Sequence, residues 1–282
     1  MRLATIARDD FTNARRSSIV LAVIGVFTVL VAMIFASEYG IYDEPYRTLF
    51  DVSAFVSFVF PLFLAPLAYL SIAGDRMDGT IKYVMGLPNS RAEYFFGKFV
   101  SRLSVATAAV VLGMFVSFVI AFATYVQAPS VERFAVFTGV TLAYTVSFVS
   151  IFVAISAAAS SRSRAMFGAL GAYFLFVVFW FGFFPVINLG TILDTVESLL
   201  GVTISDNTRS YVQLLSPATA YLQSTEPVYA GVFDQYQSFQ MNFQPGSDKL
   251  HDQTWFAVLV MLAWSAVSLA VGYLSFRRSE LG

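Results

Sequence analysis

The residues best equipped for specific chemistry lie in one polar stretch, Gly74 to Lys98, between long apolar runs. It holds Asp75, Arg76, Asp78, Lys82, Arg91, Glu93 and Lys98, with Gly79, Thr80, Tyr83 and Pro88 among them. Charged groups set this close form ion pairs and hydrogen bonds. Catalysis has little else to draw on. The chain has no Cys and a single His, His251, which removes thiolate chemistry, disulfides and multi-His metal sites. Gly97-Lys98 is not a P-loop, because Ala92 stands where that motif needs its first Gly and Phe99 follows in place of Ser or Thr. If ATP powers this protein, another chain binds it. His251 itself reads as a plain surface residue.

Local rules shape the polar stretch. Thr80–Leu87 fits two helical turns, with Ile81, Val84, Met85 and Leu87 largely on one side. Asp75 and Asp78 near its start suit the positive end of a helix. Pro88 ends it, because the residue before a proline avoids the α region. Ser90 and Glu93 then make a capping box that opens a new helix through Lys98 and Arg102 into the next apolar run. A short rigid element with an apolar face and charged edges is suited to dock in a partner's groove. A blander reading exists for each residue. Gly79 permits a bend, Pro88 and Ser90 mark a stop and a start, and the basic residues fix topology and meet anionic lipid.

The elements that must position this stretch are membrane helices. Of the 282 residues 57% are hydrophobic and 12% charged, with a mean hydropathy of +0.71. Soluble domains carry about 25% charged residues, so little of this chain can face water. Six apolar segments reach the roughly 17–25 residues that span a bilayer as helix: 19–36, 52–73, 103–126, 134–160, 165–187 and 255–276. The runs are unbroken rather than alternating, which excludes a β-barrel. The first is too long for the apolar part of a signal peptide and reads as a retained span. None contains an internal Asp, Glu, Lys or Arg, which disfavours an ion-coupled transporter and an intramembrane enzyme. The expected fold is therefore an all-α integral membrane protein, a single transmembrane domain over residues 1–282 with six spans.

Placing both termini in the cytoplasm leaves only Arg47, Arg133, Arg209 and Lys249, of 17 basic residues, outside. The positive-inside rule favours that orientation in the cell membrane. Residues 74–102 are then an inner loop and 188–254 an outer segment, neither large enough for a nucleotide-hydrolysing domain. The net charge of −1 gives no support to nucleic-acid binding. In residues 1–18, Leu3, Ile6, Ala7 and Phe11 share one helical side, while Arg15 and Arg16 lead into the first span. That pattern predicts an amphipathic helix lying in the headgroup layer. In the outer segment Tyr229, Phe233, Tyr236, Phe239 and Phe243 read as a small packed cap.

The sequence resembles a known family at this point. Asp75-Arg76-Met77-Asp78-Gly79-Thr80, then Leu87-Pro88-Asn89-Ser90-Arg91, then Gly97-Lys98 looks like the signature loop of permease subunits of ABC exporters, type-2 group. Asp78 stands where that family commonly has Glu. Arg15-Arg16, Ser216-Pro217 and the basic tail at Arg277-Arg278 add to the likeness. The resemblance implies a six-span permease of an ATP-binding-cassette exporter, with no cofactor of its own. ATP and Mg would sit on a separate ATPase subunit, and a second permease copy, identical or paralogous, would complete the transporter. Asp75–Leu87 would be the coupling helix between spans two and three, and the N-terminal helix would lie near the ATPase. Asp75, Arg76, Asp78, Gly79, Thr80, Lys82, Tyr83, Pro88, Arg91 and Lys98 are the coupling candidates. Re-entrant helices would precede span six. Path lining would come from the second and fifth spans, with Pro61, Pro66, Phe176 and Trp180 as candidates, and an aromatic, uncharged path suits an apolar or amphiphilic substrate. The alternative is a membrane scaffold or signalling subunit that acts through the inner loop and transports nothing.

Overall fold

In the computed structural model, the described residues are 18–86, 90–184, 186–243 and 247–279. The N-terminal candidates Leu3, Ile6, Ala7, Phe11, Arg15 and Arg16 lie outside them, as does Pro88. The described chain is helical. Long helices are α1 (Ser18–Ser37), α2 (Tyr46–Ala68), α5 (Arg91–Thr124), α6 (Val131–Ala158) and α12 (Thr254–Arg278). Short helices α3 (Ala73–Met77) and α4 (Thr80–Gly86) occupy the polar stretch, and α7 (Arg162–Tyr173) follows α6. Helices α8 (Leu189–Leu200), α9 (Asp206–Leu214), α10 (Pro217–Ser224) and α11 (Gln237–Asn242) fill the segment before α12.

Among the described residues five helices, rather than six, are long and apolar enough to cross a membrane. The expected fifth span, 165–187, is a broken helix. Its 12-residue α7 runs into a π turn at Phe174–Val178, closed by Phe179 N–H donating to Phe174 O at 2.8 Å. Gly182, at φ +69°, then turns the backbone. A side chain from outside the run meets the break: the Ser216 hydroxyl donates to the Phe176 carbonyl. Polar insertion of that kind disrupts a helix ladder, and an apolar sequence pattern carries no trace of it.

Helix α6 is the axis of the bundle, with 72% of its most apolar stretch buried. It packs against α2, α5, α10 and α12, while α1 packs on α5 and α2. Small residues allow close approach. A Cβ on Gly272 of α12 would lie 2.7 Å from the Ala154 backbone of α6. Buried hydroxyls bond to backbone. The Ser147 hydroxyl reaches Met261 O across to α12 at 2.8 Å. Pro61 is buried inside a continuous α2, and its missing N–H leaves the Ser57 carbonyl without its helical donor. Tyr144 of α6 supplies one, its hydroxyl donating to Ser57 O at 2.7 Å. The aromatic cap is present, with Tyr229 stacked on Phe239 at 4.7 Å and Phe243 beside them.

Candidate functional site at the basic end of the bundle

One end of the bundle gathers the C-terminal ends of α2, α6 and α12, the start of α5 and α7, and all of α3 and α4. Its geometry is built from the backbone outward. Ser156 of α6 caps α3, its hydroxyl accepting from the backbone N–H groups of Ile72 and Ala73, both at 3.0 Å. Gly79, at φ +74°, ends α3 and lets the chain turn into α4. The capping box expected at Ser90 is formed: Glu93 N–H donates to the Ser90 hydroxyl at 3.1 Å, and Ser90 N–H to the Glu93 carboxylate at 2.8 Å. Helix α5 thus starts at a fixed point.

Two arginines tie this corner together. Arg76 donates to Ala159 O and Ala157 O, each at 3.1 Å, and to the Ser279 hydroxyl at 3.0 Å. Arg91 donates to the carbonyls of Phe276, Arg277 and Ser279 at 3.0, 2.7 and 2.9 Å. Both satisfy carbonyls at helix ends, where a cation is favoured. The two side chains therefore clamp α3 and α5 to the ends of α6 and α12. Arg91's guanidinium is engaged by these carbonyls.

Asp75 sits under the clamp. Its carboxylate pairs with Lys98 Nζ at 2.6 Å and accepts from the Tyr94 hydroxyl at 2.5 Å. The Lys98 side chain is only 10% exposed, so it serves this pair rather than the protein's surface. Asp78 and Arg162 form a second pair at 2.9 Å, well exposed, joining the α3–α4 turn to the start of α7.

The apolar side of α4 is used within the chain. Ile81 is fully buried, and Val84 and Met85 pack against the core. The opposite face carries Thr80, Lys82 and Tyr83, all exposed, with Tyr83 at 82%. The element suited to a partner's groove therefore offers an aromatic and a cation, while its apolar stripe anchors it to the bundle.

The other sequence candidates lie elsewhere. Phe176 is buried against Trp264, ring centroids 4.6 Å apart, and Trp180 donates its indole N–H to Gln213 O at 2.7 Å. Pro66 is exposed on α2. His251 is not on the surface: it is 8% exposed, its Nε2 is 3.4 Å from Asp252 Oδ1, and its ring meets Tyr211 edge-on. It lines a cavity of about 570 Å³ between α9, α10 and α11 at the far end of the bundle. A single His in a polar segment gave no signal for that burial. Among the described residues no group of carboxylates and His is placed to hold a metal ion.

Residues 4–281 match the family described as ABC-2 family transporter protein. The chain belongs to that family. Two curated relatives are similar to it, and both are named as probable ABC transporter permease protein NosY. That of Stutzerimonas stutzeri is 26% identical over 283 aligned positions, covering 97% of each chain. That of Pseudomonas aeruginosa is 29% identical over 186, covering 62% of this chain and 66% of the relative. This ABC-2 chain is accordingly a multi-pass membrane component of the permease type. The resemblance read from Asp75–Lys98 and the whole-chain match agree.

Proposed function

We propose that this chain is the permease subunit of an ABC exporter in the cell membrane. A separate ATPase subunit supplies the work, and a second permease copy completes the path. The basic end is cytoplasmic, and α4 is the coupling element. The observation that carries the reading is the clamp. Arg76 and Arg91 join the α3–α4–α5 corner to the ends of α6 and α12 through six hydrogen bonds. A push on α4 is transmitted to two long helices at once. Tyr83 and Lys82 are the contact points, Gly79 turns the chain into the lever, and Asp78 and Arg162 hold its base. Asp75 and Lys98 keep the corner rigid.

The broken segment crosses the bilayer as the fifth pass in chain order, which brings the total to six. The α7 helix of 12 residues and its 5-residue π turn extend about 25 Å, and the following turn covers the remainder. Both termini are then cytoplasmic. Helices α9 and α10 form a re-entrant hairpin. Its tip at Leu215 accepts from the indole N–H of Trp264, ten residues into α12, at 2.7 Å. The carbonyls at the tip are thereby satisfied at membrane depth, as such backbone requires. Pro61 and Pro66 of α2, with Phe176 and Trp180 of the broken segment, lie beside the path, and the uncharged lining suits an apolar or amphiphilic substrate.

The test is co-purification from the native membrane, followed by ATPase assay in vesicles. A P-loop ATPase subunit should accompany the chain. Gly79→Pro and Asp78→Lys should uncouple ATP hydrolysis from transport while leaving the complex assembled. Transport by the pure chain without ATP would refute the reading, and full function in both variants would leave a scaffold in its place.

A further inference from the structure

Helix α8 is the one element of eight residues or more, among those described, that buries none of its own side chains. At 100° per residue Leu189, Ile192, Leu193, Val196, Leu199 and Leu200 fall within about one-third of its circumference. Leu199 and Leu200 are 78% and 69% exposed. The opposite face is polar, and its charges are engaged. Arg209 of α9 donates to Asp194 at 2.8 Å and to Glu197 at 2.7 Å. The helix begins with a capping box at Asn188 and ends at Gly201 with φ +64°, so its ends are closed.

Its level in the bundle follows from two bonds. Trp264 lies ten residues into α12, about 15 Å from that helix's start, and it holds Leu215 at that level. Arg209 precedes Leu215 by six residues, at most about 9 Å along α9. The hydrocarbon half-thickness is about 15 Å. With the start of α12 at the outer hydrocarbon boundary, as the membrane reading has it, Arg209 grips α8 from inside the outer leaflet, and the length of its side chain puts the α8 axis near that boundary. Phe183, Phe184, Val186 and Ile187, all exposed, lead into α8. An apolar helical face with closed ends, exposed at that depth, matches lipid.

We propose that α8 is an interfacial helix seated in the outer leaflet, with acyl chains covering Leu199 and Leu200 and its acidic face holding the α9–α10 hairpin through Arg209. The inference rests on the membrane reading given above.

The chain has no Cys, so single Cys variants carry one spin label each. The full chain is labelled at Leu199→Cys, Leu200→Cys or Ser198→Cys and placed in vesicles of phosphatidylethanolamine and phosphatidylglycerol. Power saturation then compares oxygen, which partitions into lipid, with a nickel chelate confined to water. Leu199→Cys and Leu200→Cys should give oxygen-to-nickel ratios several-fold above that of Ser198→Cys on the polar face. Nickel access at 199 and 200 would mean a water-exposed face and overturn the proposal. Shielding from both reagents would mean a protein partner, such as a second copy, and overturn it as well. Phe115→Cys in α5 and Leu259→Cys in α12 serve as span controls. If lipid contact is lost there too, the membrane reading falls along with the proposal; if it is lost at 199 and 200 alone, only the proposal falls.

Discussion

Replacing Asp75 by Asn probes the corner on which the clamp stands. The Lys98 side chain is 10% exposed and that of Asp75 26%, with 2.6 Å between them. Asp75→Asn takes the full negative charge from a nearly buried ammonium. Breaking a buried pair from one side costs about 3–5 kcal/mol, and the partial exposure of Asp75 puts this case at the low end, about 3 kcal/mol. Lys98→Met removes the other charge. Asp75 then keeps the Tyr94 hydroxyl at 2.5 Å and some water, so the cost is about 1 kcal/mol. The double variant leaves no isolated charge and should cost no more than about 1–2 kcal/mol, a coupling of about 2 kcal/mol between neighbours. At roughly 2–4 °C per kcal/mol for a chain of this size, Asp75→Asn should lower the Tm by about 6–12 °C in detergent, and the double variant by less than Asp75→Asn alone. The reasoning fails if Asp75→Asn costs less than Lys98→Met, or if the two effects add.

Three further outcomes follow from the packing and the electrostatics. Gly272→Ala drives a Cβ to within 2.7 Å of the Ala154 backbone and should cost about 1–3 kcal/mol, whereas Gly171→Ala meets open space and should be neutral or slightly stabilising by the same melting assay. Tyr144→Phe leaves the Ser57 carbonyl without its donor and should cost about 1–3 kcal/mol; in a Pro61→Ala background, where residue 61 regains its N–H, that cost should largely vanish. Burial holds the Glu38 carboxyl up at about 7, and Asp51 nearby pushes the same way. The folded chain keeps this acid protonated at pH values where the unfolded chain ionises it, so its stabilising contribution is complete below 4.5 and is lost as pH rises through about 7. Glu38→Gln should accordingly flatten the fall in Tm between pH 5.5 and pH 8, and an unchanged slope would count against the assignment.

The parts of this architecture that depend on near neighbours in sequence could be read directly. Apolar runs gave the five long helices to within a few residues at most ends, though α2 begins at Tyr46, ahead of its apolar run. The Ser90–Glu93 box is a local motif and forms as read. Gly79 and the helix after it were legible because a bend and a helical turn are each set by a handful of adjacent residues. What escaped depends on distant partners. Nothing around Arg76 or Arg91 announces carbonyls at Ala157, Ala159 and Phe276. At the break in the expected fifth span, Phe176 O meets the Ser216 hydroxyl from forty residues away. Ile81, Val84 and Met85 were legible as a stripe, but whether a stripe faces a partner or its own bundle is decided by tertiary packing. His251 was misplaced for the same reason, since Tyr211, forty residues away, meets its ring beside a cavity.

The exposed face of α4 offers the most direct measurement. Tyr83→Cys would be the only thiol in a chain that has none, on a residue 82% exposed. In cells that also express the ATPase subunit, a short thiol-directed cross-linker at residue 83 should join the chain to that subunit, and Ser198→Cys at the other end of the bundle should not. The same Tyr83→Cys chain in intact cells should resist a membrane-impermeant maleimide. Labelling from outside, or an ATPase subunit that never joins residue 83, would contradict the claim that α4 receives the ATPase's work.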